Sequence, residues 1–292
     1  MPDCYKMEIK TLEGTNDELI LEAFNNAFSD YFIPFHLKLV QLQSKMKADN
    51  VQLDVSVGVF EADQLIAFVL HGMETANNQK HIYNGGTGVI PLKRGSGLTK
   101  KMHEFILPKL REQQVDLLKL EVITNNVPAI KSYEKVGYQL ERELTCYKGT
   151  VLTNETKNTI VLKELTQYDW PIMESFWDFA PTWQNSKRTV NELMPFNKSI
   201  GAFLEGRLVG YVIHNTAGKR IHQIAVHPQF RRKKIATTLV TSLTSEFGNE
   251  LSIINIEKKS VPVNAFFKAI GLENNLNQFE MKMQLSDIIQ NK

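Results

Sequence analysis

The stretch Val89-Ile90-Pro91-Leu92-Lys93-Arg94-Gly95-Ser96-Gly97-Leu98 returns later in the chain as Val226-His227-Pro228-Gln229-Phe230-Arg231-Arg232-Lys233-Lys234-Ile235-Ala236. An amphipathic run follows each copy. A second shared block comes next. In the first half it is Asn126-Val127-Pro128-Ala129 through Tyr133 to Gly137; in the second it is Ser260-Val261-Pro262-Val263 through Phe267 to Gly271. The blocks keep their order and nearly their separation. The period is far longer than the roughly 20–50 residues of a solenoid repeat, so each copy is expected to be a domain with its own core. A length of 292 residues fits two such domains.

Outside the repeated blocks the pattern runs in the same order twice. In the first half, strands are expected at 7–12, 51–60, 65–71, 83–90, 117–124 and 138–148. Helices are expected around Leu19–Phe28, from Leu98 through Met102, Phe105 and Ile106, and over 128–136. The stretch 150–158 is polar and unpatterned, which marks a linker. The expected division is therefore 1–150, a linker at 151–158, and 159–292. After it the order restarts with strands at 160–165, 199–204, 208–215, 220–226 and 251–257, and helices at 170–179, from Ile235 to Phe247, and at 262–270. The fold class is α/β with a mixed sheet in each half.

The bulk numbers exclude several functions. Apolar residues make up 42% and charged residues 23%, the proportions of an ordinary globular protein. A net charge of +2 gives no reason to expect a nucleic-acid or membrane partner. The two cysteines, Cys4 and Cys146, have no metal-ligand spacing and form no disulfide framework, so no metal is expected and a cytoplasmic location is. No apolar run approaches the ~18 residues of a membrane span.

A strand that passes through a short loop into a helix can hold an anion, because the first-turn N–H groups are unpaired and the macrodipole is positive there. Gly95 and Gly97 allow a close backbone approach, and Arg94 adds charge suited to a phosphate. The nucleotide-hydrolysing loop is excluded, since the Gly-Lys-Ser/Thr ending is missing. The dinucleotide fingerprint fails on its glycine spacing.

Val-x-Pro-x-x-Arg-Gly-x-Gly-Leu, then a helix, an apolar strand, and Asn-x-x-Ala-x-x-x-Tyr-x-x-x-Gly-Tyr, resembles the GNAT superfamily of acetyl-CoA-dependent N-acyltransferases. The resemblance covers both halves. It implies two tandem domains, each a bent mixed sheet flanked by helices, with acetyl-CoA as cosubstrate and an amine as acceptor. It implies that loop amides cradle the pyrophosphate at Arg94, Gly95, Ser96, Gly97, Leu98 and Thr99, and again at Arg231, Arg232, Lys233, Lys234, Ile235 and Ala236. It also places the backbone amides of Val89 and Val226 against the thioester, and Asn126 and Ala129 beside the cofactor. Thr99 and Lys234 depart from the family pattern, the first adding bulk and the second replacing a loop glycine.

Asn126 and Ser260 both suit an N-cap, Pro128 and Pro262 the first turn, and Gly137 and Gly271 the helix end. The copies differ at one chemical position, Tyr133 against Phe267. Amine attack on a thioester needs an oxyanion stabiliser, which the Val89 N–H could be, and an acid for the leaving sulfur. The resemblance gives the acid role to Tyr133; a phenyl ring cannot donate a proton. Many relatives carry a glutamate on the strand before the loop, but 81–88 holds no carboxylate, which leaves Tyr83 or His81 acting through water. In the second half His222 lies on the corresponding strand. The aromatic residues Phe24, Phe28, Tyr31, Phe32 and Phe35, and Phe176, Trp177, Phe179 and Trp183, stand where the family builds an acceptor wall. Three readings stay open. The first half is the catalyst, or the chain is a non-catalytic acyl-CoA sensor, or catalysis lies in the second half with His222 as base. The acceptor, a small molecule or a peptide amine, is not set by these residues.

Overall fold

The computed structural model describes residues 7–32, 36–76, 78–152 and 159–285. In chain order the elements are β1 (Met7–Thr11), α1 (Asp17–Ala27), α2 (Leu39–Asp49), β2 (Val57–Glu61), β3 (Gln64–Ala76), β4 (Gln79–Val89), α3 (Leu98–Glu112), β5 (Leu117–Ile123), α4 (Val127–Val136) and β6 (Gln139–Thr150). They continue with β7 (Val161–Glu164), α5 (Trp170–Glu174), α6 (Lys187–Glu192), β8 (Asn197–Leu204), β9 (Arg207–Asn215), β10 (Arg220–Val226), α7 (Ile235–Phe247), β11 (Glu250–Glu257), α8 (Val261–Ala269) and β12 (Glu273–Gln284).

The chain forms two compact units. Unit 1 takes the chain up to Glu141 and again from Glu280; unit 2 is Arg142–Phe279. The expected division was 1–150, 151–158 and 159–292. Residues 153–158 of that linker lie outside the described residues, as do Cys4 and Phe35. Residues 151 and 152 are built into unit 2, with Val151 N–H donating to Asn249 O (2.8 Å) and Leu152 N–H to Ile270 O (2.7 Å).

In unit 1 the strand order is β1-β2-β3-β4-β5, and the end of β12 lies beside β5. In unit 2 it is β7-β8-β9-β10-β11-β6, with β6 antiparallel to β11 from Glu250↔Thr150 to Glu257↔Leu144. The sheet of each unit is therefore closed by a strand from the other half of the sequence. Antiparallel pairs run up to β4 and β9–β10, and one parallel pair follows in each unit, β4–β5 and β10–β11.

Local chemistry explains the helices. Asn16 Oδ1 accepts the Leu19 N–H at 2.9 Å, and Asp17 and Glu18 complement the helix dipole of α1. Ile20, Ala23, Phe24 and Ala27, at helical spacing, are its buried face. Burying a side chain such as Ile20 stabilises by about 1.5–3 kcal/mol. On α3 the buried stripe is Leu98, Met102, His103, Ile106, Leu107 and Leu110; Phe105, expected on that stripe, is exposed.

Several expected elements change. The strand expected at 51–60 begins only at Val57, and Val51 makes a single bridge to Gly72. The helix expected at 170–179 stops at Glu174. Helix α2 has no strong apolar stripe in LVQLQSKMKAD, and only Leu42 and Asp49 are buried on it, so periodicity gave no sign of it. Ser260 makes no side-chain cap bond; Asn264 Nδ2 instead donates to the Ser260 carbonyl at 2.7 Å.

Candidate active site

Strands β4 and β5 pair through only three steps, His81↔Leu117, Ile82↔Leu118 and Tyr83↔Lys119, and then part. Beyond Tyr83 strand β4 holds on to β3 alone. The register with β3 slips at Gly85, where Leu70 faces Gly86 and His71 faces Asn84. Such a bulge re-aims the strand. Ile90 N–H donates to Ile66 O on the β3 side (3.0 Å). Backbone directions alternate along a strand, so the Val89 amide faces the open side. The Val89 carbonyl confirms that direction by accepting Arg94 Nε from outside the sheet (3.2 Å).

After β4 the chain turns through Pro91–Lys93 and enters α3. Gly95 (φ +76°) and Gly97 (φ +74°) are left-handed, a conformation that glycine adopts without strain. The first-turn N–H groups of α3 have no helical acceptor, so the loop offers a set of amides to an anion. Leu98 is buried, leaving only its backbone for that purpose. The side chain of Arg94 does something other than expected. Nη1 and Nη2 each donate to Asp30 at 2.7 Å, and Nη2 also donates to Ala27 O at 2.9 Å. Its charge is matched by a carboxylate, so it ties the loop to the end of α1 rather than presenting a free cation. Thr99 keeps its carbonyl engaged with His103 Nδ1–H (2.8 Å). Ser96 Oγ donates to Lys93 O.

Tyr133 lies on α4, the helix that follows β5. Asn126 Oδ1 caps this helix by accepting Ala129 N–H (3.3 Å), and Gly137 ends it at φ +117°. The Tyr133 side chain lies beside Thr87 and Asn84, on the open part of β4, and both favour its ionised form. Those two side chains are themselves linked, Asn84 Nδ2 donating to Thr87 Oγ1 at 2.8 Å. Burial pushes the phenol up to about 12. Against a thiol near 8.5 that is an uphill proton of roughly 5 kcal/mol, though burial in the same cleft raises a thiol as well. Tyr31, close to Asn126 and Tyr133, reaches the same place. Phe28 packs edge-on to Tyr31 (5.1 Å) and Tyr31 to Phe32 (5.5 Å), whereas Phe24 is core packed on Phe68.

The carboxylate missing from β4 is on β5. Glu121 stands two residues beyond the last paired step, where the strands have parted. Tyr83 OH donates to its Oε2 at 2.5 Å. Burial, then the nearby Glu280, push this carboxyl up to about 7; Asp49 adds to the shift, while the Tyr83 bond and Lys45 oppose it. Asp49 is itself held by Lys45 Nζ at 2.5 Å. The Tyr83 hydroxyl is therefore engaged with a carboxyl. His81 sits at the paired end of the strands, and its proton affinity is lowered by burial and by Lys119. In the sequence Glu121 was visible only as the one carboxylate inside an apolar strand.

Unit 2 repeats the backbone. Strands β10 and β11 pair at Arg220↔Ser252 and Ile221↔Ile253 and then part, and β10 bulges at His222. Arg231 repeats the tie, donating to Val226 O (3.1 Å), Phe176 O (3.0 Å) and Asp178 (2.9 Å). Arg232 (φ +63°) and Lys234 (φ +60°) hold the left-handed positions that Gly95 and Gly97 hold in unit 1.

The pattern of the Acetyltransferase (GNAT) family matches residues 20–138 and 162–272. The chain belongs to the GNAT family. Among solved structures, a GCN5-related N-acetyltransferase from Sphaerobacter thermophilus is similar, with a TM-score of 0.72, 14% identity, and 98% of this chain and 97% of that one covered. A putative acetyltransferase from Pyrococcus horikoshii has a TM-score of 0.69 at 14% identity, covering 97% and 92%. A tandem GNAT protein from the clavulanic acid biosynthesis pathway has a TM-score of 0.71 at 15% identity, covering 96% and 99%. No curated protein matches the chain.

The second GNAT unit differs from the first in its chemistry. Phe267 is fully buried and stacked on Tyr147 at 5.7 Å, so the position that matches Tyr133 is core. Between the parted strands lies a small cleft of about 50 Å³, bordered by Trp177, Tyr211, His222, Gln223 and Asn255. Its polar groups are consumed by one another: Trp177 Nε1 donates to Tyr211 OH (2.6 Å), Tyr211 OH to Gln223 Oε1 (2.7 Å), and Gln223 Nε2 to Asn185 O (2.6 Å). Burial, with Arg220 beside it, pushes His222 down to about 3, far too weak a base for an amine. Among the described residues no cluster of His, Cys, Asp or Glu could hold a metal, and no helix is long and apolar enough to cross a membrane.

Proposed function

We propose that unit 1 transfers an acetyl group from acetyl-CoA to a primary amine and that unit 2 does not catalyse. The observation that carries this is the pairing of Tyr133 and Glu121 on the two sides of one strand opening, with neither group matched in unit 2. The loop from Arg94 to Thr99, two left-handed glycines ahead of a helix start, suits the pyrophosphate. The edge of β4 that faces away from β3 suits an extended amide-bearing arm. Acetyl-CoA supplies an activated carbonyl when bound.

The residues then divide the work. Glu121 takes the proton of the amine, directly or through a water. From an ammonium near 10 to an ordinary carboxylate the proton runs uphill by roughly 8 kcal/mol; raising the carboxyl from 4.5 to about 7 removes about 3 of these. Tyr83 holds the Glu121 carboxylate in place. The Val89 N–H steadies the oxyanion, and Tyr133 protonates the departing sulfur. Asn84 and Thr87 aim the phenol. Unit 2 keeps the loop and a neutral cleft, which suits acyl-CoA binding without turnover. A cytoplasmic setting, where acetyl-CoA is made and used, suits this chemistry.

The test is release of free CoA thiol by purified protein over a panel of amines. Tyr133→Phe should lower turnover on an accepted amine by about a hundredfold or more while leaving acetyl-CoA binding by calorimetry intact. Unchanged turnover would remove the acid assignment, and acetyl-CoA binding with no thiol release from any amine would favour a sensor.

A further inference from the structure

Strand β10 leaves β11 at its bulge. The last paired step is Ile221↔Ile253, and His222 comes next. It is the extra residue of the bulge, because Ile221 faces His214 on β9 and Gln223 faces Ile213. Unit 1 bulges at the same place. Asn84 faces His71 on β3, Gly86 faces Leu70, and the extra residue between them is Gly85. The two copies fill this point in opposite ways. A methyl group added to Gly85 would stand 3.0 Å from Asp49 Oδ2, so the end of α2 packs against a bare backbone. In unit 2 the bulge residue itself brings the bulk, an imidazole only 6% exposed.

Hydrogen bonds do not explain this ring. Neither nitrogen has a partner, although the Gln184 backbone lies nearby. For packing alone an apolar side chain would serve better, since a buried polar atom without a partner is costly. The ring borders the small cleft between the parted strands. Beyond the bulge that cleft runs along Ile224 and Ala225 of β10, and Ile253 and Ile256 of β11 and Val263 of α8 line it too. Asp178, a carboxylate on its border, is paired with Arg231 (2.9 Å). A volume of about 50 Å³ holds roughly three or four atoms of water size, at about 10–15 Å³ each. An acetyl group, with its methyl, carbonyl carbon and oxygen, is of that size. A hexanoyl chain is about twice as large.

We propose that His222 sets the length of the acyl group that unit 2 accepts: the ring at the bulge leaves an acetyl-sized cleft and excludes longer chains. The inference rests on the reading of unit 2 as an acyl-CoA site without turnover. The neutral ring keeps one N–H donor, and an acyl carbonyl seated beside it supplies the acceptor that the protein does not.

Trp177 borders the cleft and all three tryptophans lie in unit 2, so tryptophan fluorescence of the full chain reads this site alone. The experiment is a fluorescence titration with acetyl-, propionyl-, butyryl- and hexanoyl-CoA. In the wild type acetyl-CoA should saturate the signal, and hexanoyl-CoA should bind at least about tenfold more weakly. In His222→Gly that gap should close to about threefold or less, whereas in His222→Phe, which keeps the bulk of the ring, it should persist. Equal affinities along the wild-type series overturn the proposal, and that series needs no variant to fold. A gap that survives in folded His222→Gly overturns it as well. If no thioester moves the tryptophans while calorimetry finds a single site per chain, the reading of unit 2 as an acyl-CoA site falls, and the proposal with it.

Discussion

Replacing Glu121 by Gln should make unit 1 more stable, and only at high pH. The carboxyl is raised from its ordinary 4.5 to about 7 in the folded protein. Between these values the folded state holds the proton more tightly than the unfolded chain does. Stability from this group is therefore fully present below about pH 4.5 and is lost as pH rises through about 7. The shift of about 2.5 units corresponds to about 3 kcal/mol, felt between roughly pH 4 and pH 8. Glutamine keeps the shape, can accept the Tyr83 hydrogen bond, and has no charged form to penalise. The difference in stability between Glu121→Gln and wild type should thus grow by about 3 kcal/mol over that range. Hydrogen exchange of peptides covering β5, corrected for intrinsic rates, reads unit 1 directly. All three tryptophans, Trp170, Trp177 and Trp183, lie in unit 2, so their fluorescence is the internal control. A difference that stays flat with pH would refute the raised carboxyl and, with it, the argument for Glu121 as a base poised near neutrality.

Three further outcomes follow from the same geometry. Arg94→Ala removes the tie to Asp30 and Ala27, and should weaken acetyl-CoA binding to unit 1 by on the order of tenfold in calorimetry, whereas Arg231→Ala should leave thiol release unchanged. Phe267→Tyr should not create a second active site. It places a hydroxyl in a fully buried position and should lower the stability of unit 2 by about 1–3 kcal/mol in a urea titration followed by tryptophan fluorescence. Lys234→Gly relieves a left-handed backbone at φ +60° and, after the entropy cost of glycine, should raise that same stability by about 0.5–1 kcal/mol.

The duplication, the strand–loop–helix site in each half, the capped helix α4 and the contrast between Tyr133 and Phe267 were all legible in the residues, because each depends on local backbone chemistry or on a direct match between copies. Left-handed turns, proline in a first turn and an Asn cap are written within a few positions of where they act. Four other features came only from the tertiary structure. Arg94 reads as a phosphate-binding charge until Asp30, far away in sequence, is seen to occupy it. His222 reads as a base until burial takes its proton affinity away. Glu121 reads as an oddity in an apolar strand until Tyr83, Asp49 and Glu280 gather around it from β4, α2 and β12. The strand at 138–148 was assigned to the first half and none was expected at 273–284, because nothing local says which sheet edge a closing strand will join. Proton affinity and strand pairing depend on neighbours brought together across the fold, and such neighbours leave no periodic trace in the chain.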